Sequence, residues 1–238
     1  MLWCQAMTLV NRVVVIIGAT GHLGSFVAKA FADAGAKLVL VGTHQEALAS
    51  LAQTLGYPDS RVWPQAVDAL DSAAMETLAR DVQARFERVD ILLHLAGTYL
   101  GGGILDTPDE IWERLFDVNL RTALYSIRAF LPRLVKNDWG RIITISSGVT
   151  QNPPANSIAY VSAKAALETL TLAVANQVKT NHITANTVLI RALASRSDSA
   201  ETKPGSVKPE EVAATLLFLC SDEGGAITGA RIPVFGGN

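Results

Sequence analysis

The chain alternates short apolar runs with longer amphipathic stretches from one end to the other. Seven runs, Val13–Ile17, Leu38–Val41, Val62–Ala66, Ile91–Leu95, Ile142–Ile145, Ile183–Leu189 and Ile232–Val234, are rich in Val, Ile and Leu without a clean in–out alternation. Strands covered on both faces have that composition. Between them, helical periodicity covers Leu23–Ala34, Gln45–Leu55, Ala73–Phe86, Asp109–Val135, Ile158–Thr180 and Pro209–Cys220, with Gly35, Gly56 and Gly140 where helices should end. Strand–helix repetition at this spacing implies right-handed crossovers. It predicts an α/β class, doubly wound: a seven-stranded, mostly parallel sheet with helices on both faces. Ligands of such sheets bind beyond the carboxyl ends of the strands.

The 238 residues suit one domain spanning 1–238, with a tail over 1–11 and a polar Ser-, Gly- and Pro-containing loop over 191–208. Apolar residues make up 49% of the chain and charged ones 18%, which allows a large core. With 20 Lys and Arg against 22 Asp and Glu, and no basic run, neither nucleic acid nor an anionic membrane is an expected partner. Cys4 and Cys220 form no CxxC pair, and His94 and His182 have no second ligand at metal spacing. No disulfide scaffold or metal site is expected, and a reducing compartment is. The first ten residues lack a basic n-region and a cleavage site. The apolar runs fall short of the ~20 residues of a membrane span. The expected location is cytoplasmic.

The first strand leads into Gly18-Ala19-Thr20-Gly21-His22-Leu23-Gly24, which opens directly into a helix. Glycines there permit a tight turn and close backbone approach, so that a pyrophosphate can sit on the helix N-terminus. In that position the turn marks a Rossmann-type dinucleotide site. The second strand ends in Val41-Gly42-Thr43-His44, without the acidic residue that usually binds the ribose hydroxyls of NAD. Thr43 and His44 can accommodate a 2′-phosphate, so NADP(H) is favoured and NAD(H) stays open.

Tyr160 and Lys164 stand at i,i+4 spacing on one helix face. A tyrosine near its ordinary pKa of about 10 is a poor acid or base at neutral pH. A neighbouring ammonium favours the phenolate and brings it towards a useful range. Thirteen residues upstream of Tyr160, Ser147 puts a hydroxyl at the carboxyl edge of the fifth strand, where it can orient a carbonyl oxygen. Asn119 sits inside the predicted helix Asp109–Val135, an unusual interior residue that points to a functional role.

Together these motifs resemble the short-chain dehydrogenase/reductase family, in its compact single-domain branch, over nearly the whole chain from Val13 to Gly237. The resemblance implies a catalytic tetrad of Asn119, Ser147, Tyr160 and Lys164. In it Tyr160 is the proton donor or acceptor, and Lys164 lowers its pKa and holds the nicotinamide ribose. Ser147 orients the carbonyl, and Asn119 anchors a water that relays protons. It implies dinucleotide contacts from Gly18, Thr20, Gly21, His22, Leu23, Gly24, Thr43, His44, Asp68, Ala69, Leu95, Ala96 and Gly97, besides Tyr160 and Lys164.

The sequence departs from the family's pattern at several places. His22 replaces the middle glycine of the turn, and His94 and Leu95 replace two asparagines. Ile190-Arg191 stands for Pro-Gly, with Ser195 near the position of a nicotinamide-contacting Thr and a shortened substrate loop after it. Phe235 replaces an Asp before the final glycines, an apolar end suited to an oligomer contact.

The implied activity is hydride transfer between NAD(P)(H) and a small-molecule carbonyl or alcohol substrate, in a homodimer or homotetramer. A non-catalytic NAD(P)-binding sensor or scaffold is the alternative, favoured by the altered turn and short loop and opposed by the retained tetrad. A lyase or epimerase on the same fold is a third reading.

Overall fold

A computed structural model describes residues 8–193 and 206–236. Its seven strands, β1 (Val13–Ile17), β2 (Lys37–Gly42), β3 (Val62–Ala66), β4 (Ile91–His94), β5 (Trp139–Ser147), β6 (His182–Ile190) and β7 (Arg231–Val234), form one sheet in the order β3-β2-β1-β4-β5-β6-β7. All six pairings are parallel.

The continuous apolar runs follow from burial on both sides. Val14, Ile16, Leu38, Leu40, Ile91 and Leu93 point into one core, shared with α1 (His22–Asp33) and α7 (Pro209–Cys220). Their alternates Val13, Val15, Ile17, Val39, Val41 and Leu92 point into a second core. That one is shared with α3 (Ser72–Phe86), α5 (Thr122–Asn137) and α6 (Ile158–Gln177). Pro64 and Pro233 lie in the two edge strands, where a missing N–H breaks no central ladder. The other two helices are α2 (Gln45–Leu55) and α4 (Asp109–Phe116).

Four expectations change. The stretch Asp109–Val135 is not one helix: Asp117–Arg121 forms a wider π-type turn between α4 and α5. Gly140 does not end a helix but lies in β5; α5 stops at Asn137, and Asp138 takes the left-handed conformation. Order begins before Asn11, because Leu9 is 2% exposed in the core and its N–H donates to the Ala34 carbonyl at 2.8 Å. Finally, α6 reaches 20 residues with a mean hydropathy of 1.3, long and apolar enough to cross a membrane. Half of that stretch is buried inside the fold, packed on β5 and β6.

The sheet order reverses between β1 and β4, so a crevice opens above their carboxyl ends. His94, the last residue of β4, pairs with Thr144, and β5 continues to Ser147. Three further residues at about 3.3 Å each carry Ser147 about 10 Å past the end of β4.

At the opposite edge, fully buried Asp90 accepts the Val13 N–H at 2.8 Å and ion-pairs with Arg12 and Arg88. Asp90→Ala would strand that N–H. A loss of about 1–3 kcal/mol is expected in urea unfolding. Asp33→Ala, which removes an exposed carboxylate bonded to Lys29 and Tyr57, should lower the midpoint by clearly less.

Candidate active site

The glycine turn is shaped by the space around it. Gly18 has φ +83°, and a Cβ there would lie 2.8 Å from the Ala96 nitrogen. A Cβ on Gly24 would lie 2.5 Å from the Ala19 carbonyl oxygen. The backbone of β1, the loop after β4 and the start of α1 therefore approach more closely than side chains would permit.

Two clefts meet at this turn. One, of about 300 Å³, lies over β1, β2 and β3 and is lined by Gly18, Thr20, Gly21, Thr43, Asp68, Ala69, Leu95, Ala96 and Gly97 among others. The other, of about 610 Å³, lies over β4, β5 and β6. Its lining includes Gly18, Gly21, His22, Leu23, Gly24, Leu95, Gly97, Ser147, Tyr160 and Lys164. Gly18, Gly21, Leu95 and Gly97 belong to both walls, so the clefts form one groove along the strand ends. A third groove of about 630 Å³, between α1 and α2, touches Thr20, Gly21 and His22 but none of the expected tetrad.

Most of the residues expected to hold a dinucleotide thus line one surface. His44 does not line the clefts: it is exposed at the start of α2, its Nδ1 2.9 Å from the Thr43 hydroxyl. Ser195 lies outside the described residues. His22 is half-buried as the first residue of α1, edge-on to the Phe26 ring, and lines the larger cleft.

Three of the four tetrad side chains meet in the larger cleft. Ser147 lies beside the Tyr160 hydroxyl, whose phenolate it favours, and accepts the Val149 N–H at 3.4 Å. Tyr99 packs edge-on against Tyr160, with ring centres 5.0 Å apart, and its own hydroxyl lies 3.0 Å from that of Ser157. Lys164 is buried, and its Nζ donates to the Ile145 carbonyl at 2.9 Å. Asn119 is fully buried one layer behind. Its Oδ1 accepts the Thr98 N–H at 3.1 Å, and its Nδ2 donates to the carbonyls of Thr98 at 2.9 Å and Leu115 at 3.0 Å. A Cβ on Gly97 would lie 3.0 Å from both Asn119 Oδ1 and Lys164 Nζ, so the glycine separates the two side chains.

The electrostatics differ from expectation at one point. Burial pushes the Tyr160 phenol up, opposed by the Ser147 hydroxyl; the Lys164 ammonium, 6.0 Å from the ring centre, does not reverse this. Burial also pushes Lys164 down, to about 8, against the pull of Glu168. His94, fully buried with its Nε2 2.9 Å from the Thr122 hydroxyl, is pushed down to about 3 by burial and by Lys164, and stays neutral. Standing where the family has an asparagine, it makes this one side-chain bond, while its buried Nδ1 has no hydrogen-bond partner among the described residues.

Three residues with a part in this site were not singled out from the sequence. Tyr99 follows the Ala96-Gly97 segment, a position where an aromatic had no pattern to mark it. Thr98 holds Asn119 through its main chain, which sequence does not disclose. Glu168 stands one turn beyond Lys164 on α6, and a buried acid at i+4 was a usable signal. It is 5% exposed, accepts the Ser146 hydroxyl at 2.6 Å and pairs with Arg231 at 3.3 Å. Glu168→Gln removes the charge that holds the Lys164 pKa up. The Lys164 ammonium should titrate below about 8 in an NMR titration of labelled lysine; an unchanged or higher pKa would contradict this.

Phe235, expected in an oligomer contact, has an intramolecular partner: it lies over Gly148 and under the Arg191 guanidinium.

Comparisons with known proteins agree with this architecture. The model of the short chain dehydrogenase family matches residues 12–203. The chain is 31% identical over 239 residues to a meso-2,3-butanediol dehydrogenase of Serratia marcescens, covering 95% of this chain and 94% of that one. It is 29% identical to a D-beta-hydroxybutyrate dehydrogenase of Rhizobium meliloti, covering 95% and 98%. It is 27% identical to the 3-oxoacyl-[acyl-carrier-protein] reductase FabG of Salmonella typhimurium, covering 97% and 98%. The crystal structure of gox2181 superimposes with a TM-score of 0.87 at 24% identity, over 96% of this chain and 95% of that one, a likeness of fold.

Proposed function

Because the chain belongs to the short chain dehydrogenase family of oxidoreductases, we propose that it interconverts a carbonyl compound and its alcohol, with Tyr160 as the acid–base group and NADP(H) as the preferred cofactor. The observation that carries the reading is the meeting of Ser147, Tyr160 and Lys164 in a cleft continuous with the glycine cradle. The cradle fits a dinucleotide: Gly18 and Gly24 leave backbone surface where any Cβ would collide with main chain. Gly18, Gly21 and the N-terminus of α1 would hold its pyrophosphate, and Asp68, Ala69 and Thr43 would line its adenosine half. When bound, the nicotinamide supplies or accepts the hydride.

The chain's own groups handle the oxygen and its proton. Ser147 and Tyr160 donate hydrogen bonds to the carbonyl oxygen, and Tyr160 Oη gives up its proton as negative charge develops there. Burial keeps Tyr160 protonated until that moment, which suits a proton donor. Lys164 then faces a phenolate. With its pKa near 8 it is about nine-tenths charged at pH 7. One of its three donors is engaged with Ile145, leaving the others for a ribose or a water. Asn119 holds the loop at Thr98 that backs this lysine.

The NADP(H) preference rests on Gly42 and Thr43, which offer room and a hydroxyl where a carboxylate would repel a 2′-phosphate. The KM for NADPH is expected to be about tenfold below that for NADH in carbonyl-dependent oxidation. A lower KM for NADH would overturn the preference and leave the reaction standing. The chain is further read as one dinucleotide-binding domain that assembles into a homodimer or homotetramer. Exposed Leu172 on α6 and Val135 on α5 support assembly, and a monomer in light scattering would contradict it.

A further inference from the structure

Among the described residues, the wall of the larger cleft contains two cationic side chains at neutral pH, Lys164 and Arg191, and no Asp or Glu. Lys164 is buried and donates to the Ile145 carbonyl. Arg191 is exposed at the rim, and among the described residues it forms no ion pair.

Its position is fixed by the strand that precedes it and by two contacts. Arg191 follows Ile190, which pairs with Ser147 across β5 and β6. Its stem lies beside Gly148, where a Cβ would be 3.5 Å from Arg191 Cγ. The guanidinium carbon sits 4.6 Å above the centre of the Phe235 ring. Such stacking restrains a long side chain before any ligand arrives and lowers the entropic cost of binding one.

The bound dinucleotide is itself anionic, but its phosphates belong elsewhere. The glycine turn follows β1, and the order β1-β4-β5-β6 places three strand spacings between β1 and β6. At the usual separation of neighbouring strands that is about 14 Å. Arg191 therefore stands on the side of the cleft that holds Ser147 and Tyr160.

We propose that Arg191 recognises an anion on the substrate, so that the substrate is an oxo acid, or the matching hydroxy acid, whose carboxylate is held by the guanidinium while Ser147 and Tyr160 take the carbonyl oxygen. This rests on the carbonyl–alcohol reading above. A planar guanidinium meets a carboxylate through two parallel N–H···O bonds, which fixes orientation as well as charge. In the reduction the carbonyl carbon gains the hydride and its oxygen gains the Tyr160 proton, while the carboxylate is unchanged.

Calorimetric titration of the protein saturated with oxidised dinucleotide tests this, using pyruvate, acetoacetate and levulinate, each against its methyl ester. These probes vary the spacing between carbonyl and carboxylate. At least one acid is expected to bind about tenfold or more tightly than its ester. Arg191→Ala should abolish that preference and Arg191→Lys restore part of it, with ester and dinucleotide affinities unchanged in both. Equal binding of acids and esters, or a preference that survives Arg191→Ala, would overturn the proposal. So would weakened dinucleotide binding in Arg191→Ala, which would assign the guanidinium to the cofactor. Turnover in the same preparation separates the two claims. Neutral carbonyls reduced without acid preference end this inference alone, whereas acids bound through Arg191 but never reduced end the reductase reading alone.

Discussion

Tyr160→Phe is expected to lower kcat by about 10²–10⁴-fold, the usual contribution of a positioned proton donor. The dissociation constant for the reduced dinucleotide should rise by no more than about tenfold, since a lost neutral hydrogen bond contributes about 0.5–1.5 kcal/mol. The substitution removes one oxygen and little else. The ring remains held edge-on by Tyr99 at 5.0 Å, on a helix packed against β5 and β6. What disappears is the hydroxyl beside Ser147, in a setting that favours its protonated form. Turnover retained in this variant would remove Tyr160 from the reaction, whatever the fate of the fold.

Gly24→Ala is the second large effect. The added Cβ meets main chain, 2.5 Å from the Ala19 oxygen and 2.7 Å from its carbonyl carbon, so no flexible side chain can yield. The start of α1 must move away from β1, although Leu23, Val27 and Phe31 are buried in the core beneath it. Overpacking of this kind costs about 1–3 kcal/mol, read in urea unfolding. The affinity for the reduced dinucleotide, followed by fluorescence titration, should fall about tenfold or more, because a displacement near 1 Å moves the N–H groups that face the pyrophosphate. Gly21→Ala is the matched control. Its nearest obstacle is the Gly18 oxygen at 3.2 Å, and both effects should be clearly smaller. Equal effects at the two positions would refute the assignment of close approach to Gly24.

The sheet was legible because burial on both faces writes itself into composition. Val13 to Ile17 alternate between two cores, and a run that must satisfy both becomes uniformly apolar. The glycine turn, Ser147, Tyr160 and Lys164 were legible because strand ends and helix faces fix where they point. The features that escaped depend on main-chain details or on partners remote in sequence. The π-type turn at Asp117–Arg121 leaves the periodicity of Asp109–Val135 almost intact, and the bonds that Asn119 makes from it go to the main chain of Leu115 and Thr98. Gly140 carries the composition of a helix end, yet Asp138 takes the left-handed position and lets β5 begin at Trp139. His44 is adjacent to Thr43 in sequence but opens α2 outside the clefts.

The Tyr160 pKa follows its surroundings more than its spacing from Lys164. An i,i+4 lysine was expected to lower it, whereas burial of the phenol prevails while Lys164 donates to the Ile145 carbonyl. Arg191 and Phe235 are 44 positions apart, and no local pattern announces their stacking.

Among all these outcomes, one bears on the central claim without any variant. The wild-type protein is incubated with NADPH, or separately NADH, and a panel of ketones, aldehydes, quinones and oxo acids, following cofactor oxidation and identifying the product. The result expected is a saturable, substrate-dependent oxidation in which each cofactor consumed matches one carbonyl converted to its alcohol. Tight binding of the reduced dinucleotide with no oxidation across the panel, and no reduction of the oxidised form by the corresponding alcohols, would contradict the account and leave a dinucleotide-binding protein without this chemistry.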